Sequence, residues 1–289
     1  MNKYFELIKV NISILVIVTC YIGYYLGLRF EGLKMVEYQS WVTFFYLILG
    51  TFISSSGSSI LNQYIEVEYD KKMNRTKNRP LPTNQIDLNT ALYIGLLCSF
   101  MGPLIIWIKI NILTSLICLF TIIIYVCIYT PLKRISSINT LVGAIPGALP
   151  PLGGWVAATN EINIQGLMLF GVLFCWQIPH FLALAIIYKD DYSLGGFKML
   201  PSITKNTNKI SFQILFFTMA LIYTSLGIYF LNLTSFIYAV GATILGLIFL
   251  FYSSAILFDY SDINIKRIFI FSIIYLPLLL LLILIDSMI

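Results

Sequence analysis

The chain has 289 residues, 59% of them hydrophobic and only 11% charged, with a mean hydropathy of +0.88. A water-soluble domain cannot hide that much apolar surface, so the composition excludes a soluble enzyme and describes a polytopic membrane protein. The formal charge of +5 therefore has to be read against a membrane before it is read as the mark of an anionic partner.

A hydrocarbon core of ~30 Å takes about 20 apolar residues in helical form. Nine runs are long enough, at residues 8–28, 41–61, 90–108, 110–129, 138–158, 164–187, 212–231, 233–257 and 265–285. With nine spans, only Arg29, Lys34 and Lys109 of the 18 Lys and Arg fall on one side. The others, Lys205 among them, share the side of the N-terminus. This asymmetry predicts a cytoplasmic N-terminus and accounts for the net charge without a nucleic-acid partner. No cleavable signal or transit pattern is present, and a bacterial inner membrane is the expected location. Cys20, Cys98, Cys118, Cys127 and Cys175 all fall in apolar spans and read as small core residues. Residues 1–289 read as one all-α membrane domain. The two longest interruptions, 62–89 and 188–211, are four spans apart, which suggests two four-helix halves followed by a ninth helix.

The first interruption reads NQYIEVEYDKKMNRTKNRPLP, residues 62 to 82, three acids and five bases in an otherwise apolar chain. Asn62, Glu66 and Asp70 stand at i, i+4 and i+8. A helix continuing from the second span carries them on one face over roughly 12 Å, with Glu68 turned elsewhere. Such a row of oxygen donors suits Mg²⁺, which takes one or two carboxylates and completes its octahedron with waters and substrate phosphates. Lys71, Lys72, Arg75, Lys77 and Arg79 follow, cations suited to phosphate oxygens, and Pro80 and Pro82 are expected to stop the helix. For the bases alone, a solvated helix end obeying the positive-inside rule is the competing reading. A one-face ladder of acids is not needed for topology.

Further along, YTPLKR places Tyr129 and Lys133 four residues apart at the end of the fourth span, where snorkelling at the membrane edge also explains the lysine. VGAIPGALPPLGGW, residues 142 to 155, puts glycine, alanine and proline into a span. Small residues admit a close helix or a flat ligand, and proline frees carbonyls that need partners inside the protein. His180, the only histidine, follows Pro179 in an apolar helix, where a hydrogen-bonded core residue competes with a ligand-binding one. In YKDDYSLGGFKMLP, residues 188 to 201, Asp190 and Asp191 project about 100° apart on a helix, so only one of them can easily face the ladder, and Asp191 is taken as that one. It lies eleven residues after His180, three turns plus about 20°, so the two are expected to share a face, ~16 Å apart along the axis.

In this order, these blocks resemble the membrane prenyltransferases of the UbiA superfamily, and within it the branch that farnesylates haem b. NQYIEVEYDKKMNRTKNRPL matches the first acidic motif, YTPLKRISSINTLVGAIPGALPPLGGW the central block, and CWQIPHFLALA with YKDDYSLGGFKMLP the second motif. Gln63 stands where the superfamily usually has Asp, Glu66 replaces another Asp, and Asp190, Asp191 and Tyr192 replace a fuller acidic second motif. The resemblance implies a UbiA-like fold of nine transmembrane helices around a central cavity. It implies an enzyme in which Asn62, Glu66, Asp70 and Asp191 hold Mg²⁺ and the diphosphate of farnesyl diphosphate, while Lys72, Arg75, Lys77, Arg79, Lys133 and Arg134 neutralise the phosphates. Trp176, Gln177 and His180 would meet haem b, and a haem A synthase or an oxidase assembly protein is a candidate recipient of the product. An aromatic quinone precursor as acceptor keeps the same diphosphate site. A transporter is the non-enzymatic alternative, but transporters gather polar groups near the midplane, whereas here they gather at the helix ends.

Overall fold

A computed structural model describes residues 3–204 and 206–286; Lys205, counted above among the bases, lies outside them. Among the described residues, nine helices are long and apolar enough to cross a membrane, in the number and order of the expected runs. They are α1 (Val10–Phe30), α2 (Tyr38–Asp70), α3 (Leu88–Lys109), α4 (Ile112–Leu132), α5 (Asn139–Thr159), α6 (Ile164–Ile187), α7 (Thr207–Phe230), α8 (Phe236–Phe258) and α9 (Asp262–Asp286). Three short helices, Lys3–Leu7, Lys189–Leu194 and Leu200–Ile203, flank or link them, and the described residues contain no strand.

Helix ends are set by short polar side chains. Asp87, Asn111, Asn163, Asn206 and Ser235 accept first-turn amides at the starts of α3, α4, α6, α7 and α8, which supplies partners to N–H groups that the helix itself leaves unpaired. Asn160 and Asn232 take left-handed conformations just past α5 and α7, a stop that asparagine tolerates better than most residues. The 33-residue α2 is the longest span. At 1.5 Å per residue it runs ~50 Å, well beyond the ~30 Å core, so its last turns stand at the membrane edge. It ends at Asp70, before Pro80 is reached, so the prolines do not stop it. What ends it is a run of turns in which Met73 N donates to Asp70 O and Thr76 N to Met73 O, while the Thr76 hydroxyl donates to Asp70 O.

Packing divides the spans into two rings. The first closes through α1, α2, α3, α4 and α5, and the second through α6, α7, α8 and α9, with α5 against α6 between them. Five and four is thus the structural division, not the four, four and one suggested by loop spacing. The second ring is filled with large side chains such as Tyr238, Phe249 and Tyr275, each 0% exposed. The main cavity is enclosed by α1 to α6, and α7 to α9 contribute no side chain to it. Cys127 is exposed on α4, which corrects its reading as a core residue.

Bare backbone joins α1 to α5. A Cβ on Gly23 would lie 1.9 Å from Pro151 O, and one on Gly154 would lie 1.9 Å from Cys20 O. Cβ atoms on Gly143 and Gly147 would strike the Tyr129 ring and the Gln177 amide, so close packing explains most of the glycine- and proline-rich block. Pro146, Pro150 and Gly153 line the cavity. Gly154→Val is expected to force α1 off α5 and to lower stability by at least ~2 kcal/mol, the scale of overpacking a close contact. Gly153→Ala next to it, with its nearest neighbour at 3.6 Å, should be tolerated. Thermal unfolding of the two purified variants, followed by size-exclusion chromatography, checks this.

Candidate functional site

A cavity of about 530 Å³ has its mouth at the base-rich ends of α1, α2 and α4, beneath the loop residues Arg75, Thr76, Tyr192 and Phe197. Its wall on α2 extends from Asp70 back to Leu47, ~35 Å of helix at 1.5 Å per residue. The mouth is ionic. Below it the lining turns to aliphatic side chains, prolines and the hydroxyls of Ser54, Ser55, Ser58 and Ser59. The sequence signal for this polar stripe is the serine run at residues 54–59 within an apolar span.

The ladder forms as the helical spacing required. Asn62, Glu66 and Asp70 all line the cavity and are 1%, 4% and 0% exposed. Glu66 Oε1 accepts from Lys133 Nζ at 2.8 Å, and Asp70 Oδ2 accepts from Arg79 Nη1 at 2.7 Å. Asn62 donates through Nδ2 to Thr130 Oγ1 at 3.1 Å, and Thr130 donates in turn to Tyr125 O at 2.8 Å. Tyr125 belongs to a π-helical stretch of α4, Ile124–Tyr129, where the wider turn leaves carbonyls open to side-chain donors. Burial alone lowers the Lys133 ammonium, but Glu66, Tyr129 and Tyr125 more than reverse this and hold it above the usual lysine range. Its charge is thereby fixed at the mouth.

Asp70 Oδ1 is buried with no hydrogen-bond partner among the described residues. A buried carboxylate oxygen left this way is costly, and a divalent cation at the mouth would satisfy it. Among the described residues no cluster of three or more His, Cys, Asp or Glu side chains forms a metal site. The available donors are two carboxylates and the Asn62 amide, a set that fits Mg²⁺ bound mainly through waters and phosphate oxygens.

Asp191 does not join this set. Its oxygens accept the backbone amides of Asn74 and Arg75 at 2.7 and 3.3 Å, and it lines a separate shallow groove with Asp190. The expectation of one helix from His180 to Asp191 fails because α6 ends at Ile187 and the chain breaks at Tyr188 before the short helix Lys189–Leu194. Asp191 instead holds the loop that carries Arg75 and Arg79. Among the expected phosphate-binding cations, Arg75, Arg79 and Lys133 line the cavity. Lys72 lies over the Tyr69 ring, Lys77 donates to Asn74, and Arg134 donates to the Tyr69 hydroxyl, so these three are not brought to its wall. Arg75 stacks 5.5 Å from Tyr188 and 5.6 Å from Tyr192 and makes no carboxylate pair among the described residues.

In the sequence Lys9 is one of the bases that set the topology. It lines the cavity, and its Nζ donates to Asn62 Oδ1 at 2.7 Å. Burial, then the neighbouring Arg79 and Lys133, push its ammonium down to about 7. Its sequence signal, a lysine before an apolar run, is the same as that of any snorkelling lysine.

Trp176, Gln177 and His180 all line the cavity on α6. The imidazole is sandwiched between Trp176 and Phe269, each with its ring centre 5.1 Å away. Gln177 Nε2 donates to Leu173 O and Ala144 O, which ties α6 to α5. Ser272 of α9 was not foreseen. Its hydroxyl lies 2.6 Å from Phe269 O and 2.8 Å from His180 Nδ1. A carbonyl only accepts, so the single hydroxyl proton goes to Phe269 O and His180 must donate from Nδ1, which in the neutral ring leaves Nε2 unprotonated. Ser272→Ala should release this preference. Because His180 is the sole histidine, ring ¹⁵N resonances of histidine-labelled protein report it directly: one Nδ1–H tautomer in the native chain and a mixture in the variant.

Carboxylates and cations at the mouth, over a long apolar interior, suit an anionic ligand with an apolar tail. The chain belongs to the UbiA prenyltransferase family, whose profile matches residues 16–276. It is 37% identical over 295 residues to the protoheme IX farnesyltransferase of Solibacter usitatus, covering 99% of both chains. It is 44% identical over 160 residues to the human mitochondrial protoheme IX farnesyltransferase, covering 55% of this chain and 36% of that one. A solved structure of digeranylgeranylglyceryl phosphate synthase superposes with a TM-score of 0.81 at 19% identity, covering 99% of this chain and 97% of that one. A UbiA homologue from Archaeoglobus fulgidus bound to GPP and Mg²⁺ gives 0.63 at 15% identity, covering 98% and 99%. Likeness at these identities shows the fold.

Proposed function

We propose that the chain transfers the farnesyl group of farnesyl diphosphate to a vinyl group of haem b, with addition of water and release of diphosphate, giving haem O. The observation that carries this reading is a single cavity with an ionic mouth at one end and the sandwiched His180 on its wall. The full-length similarity to protoheme IX farnesyltransferases supports the choice of acceptor. The base-rich side supports a cytosol-facing mouth and N-terminus in a bacterial inner membrane.

The C–O bond of the allylic diphosphate breaks with its electron pair leaving on the diphosphate. The terminal vinyl carbon then bonds to C1 of the farnesyl group. The cation left on the inner vinyl carbon takes a water molecule, which gives up a proton, so the product carries a hydroxyl beside the macrocycle. Asp70, Glu66 and Asn62 would hold Mg²⁺, which when bound supplies positive charge against the phosphate oxygens as the bond breaks. Arg75, Arg79 and Lys133 offer charge-assisted donors to the same oxygens, and these matter most where charge develops. The aliphatic wall keeps water from the farnesyl cation until the new C–C bond has formed. The unprotonated Nε2 of His180 would meet the acceptor, with haem iron as its natural partner.

Incubating purified protein in detergent with haem b, farnesyl diphosphate and Mg²⁺ is expected to yield a haem heavier by farnesyl plus water, read by mass spectrometry of the haem extract. Glu66→Gln and Asp70→Asn should each cut turnover by ~100-fold or more, the scale of removing one preorganised electrostatic contact, while haem titration stays near native. Near-native turnover in both would overturn the assignment of the ladder.

A further inference from the structure

We propose that Lys9 is a diphosphate-binding residue, delivered into the cavity mouth by an N-terminal strap that Gln63 locks in place; this rests on the prenyl diphosphate reading above. The charges at the mouth do not balance. Glu66 is paired with Lys133 and Asp70 with Arg79, while Lys9 and Arg75 face the same cavity and form no carboxylate pair among the described residues. An ammonium turned inward to an amide oxygen has left water for a partner of no charge, which is unfavourable by itself. An arriving diphosphate supplies the missing counter-charge. A snorkelling lysine would do the opposite and extend toward water.

The backbone is arranged to make Lys9 turn inward. Its φ of 51° and ψ of 55° are left-handed, a conformation that a lysine keeps only when its surroundings enforce it. Those surroundings are the strap Lys3–Leu7. Leu7 is 1% exposed and packs into a small apolar cluster with Ile60, Val67 and Leu81. Lys3 Nζ donates to Gln85 O at 3.0 Å. Between them, Gln63 Nε2 donates to Leu7 O at 2.7 Å and Glu6 O at 3.4 Å. Gln63 is 0% exposed and does not line the cavity. Holding those two carbonyls takes a side chain with hydrogen-bond donors, and a carboxylate at position 63 would repel them. The departure from the superfamily's usual Asp therefore has a physical consequence: position 63 anchors the strap, and Lys9 is the group the strap presents.

The test is equilibrium binding of inorganic pyrophosphate and of the non-ionising thio analogue of farnesyl diphosphate, by calorimetry on detergent-purified protein with Mg²⁺. Lys9→Met keeps the apolar stem and removes the charge. It should weaken both ligands by ~10-fold or more, the worth of one charge-assisted hydrogen bond, and Lys9→Arg should restore most of the loss. Gln63→Glu should give the same weakening together with faster hydrogen exchange over residues 3–9. The double variant Lys9→Met, Gln63→Glu should be little weaker than either single one, because both changes remove one device. Haem titration of each variant, expected to be native, reports that the chain is folded. Native affinity for pyrophosphate in Lys9→Met overturns the role of Lys9. Weak binding in Lys9→Met with native binding and native exchange in Gln63→Glu overturns the lock. If the unaltered protein binds neither ligand, the prenyl diphosphate reading falls and the proposal with it.

Discussion

The two buried ion pairs at the end of α2 are the constraint around which the rest of the site is arranged. Glu66 and Asp70 lie at most 4% exposed in the last two turns of a 33-residue helix. Carboxylates in that position require cations at hydrogen-bond distance, and the cations come from two different parts of the chain, Lys133 at the end of α4 and Arg79 in the loop after α2. Forming the pairs therefore closes the mouth of the first ring. It ties α4 to α2 and folds residues 71–79 back over the helix that precedes them. Asp191 completes the closure from the far side by holding the amides of Asn74 and Arg75.

This arrangement explains why the ionic residues have so little freedom. Lys133 is held between Glu66 and the Tyr129 ring at 4.6 Å, and Arg75 between the Tyr188 and Tyr192 rings. Side chains held this way lose little further entropy when phosphate oxygens arrive, and that preorganisation is what electrostatic stabilisation of a leaving group demands. Rigid scaffolding continues below the mouth. The α1 and α5 backbones touch through Gly23 and Gly154, and α9, which gives the cavity no side chain, still sets the orientation of His180 through Ser272 and Phe269.

What could be read in the sequence follows the reach of each physical rule. The spans were legible because membrane crossing leaves a signal of length and hydropathy. The Asn62, Glu66 and Asp70 face was legible because helical spacing is local and the helix continues. Asp191 was misplaced because the same spacing was carried through Tyr188, where the helix breaks. Lys72, Lys77 and Arg134 were grouped with Arg75, Arg79 and Lys133 by charge and proximity in sequence, and neither says which way a side chain turns in a loop of tight turns. Lys9 and Ser272 were invisible for a different reason. Their roles depend on contacts 53 and 92 residues away, and no local pattern records such a distance.

The central claim is that one cavity holds the prenyl diphosphate and the haem together, the anion at the ladder and the macrocycle toward His180. The most direct measurement binds a farnesyl diphosphate analogue with a fluorophore at the far end of its chain, adds haem b, and follows both the retained fraction of analogue and its emission. Simultaneous binding with strong quenching by the haem is the predicted result. Displacement of one ligand by the other, or joint binding with emission unchanged, would contradict a shared cavity.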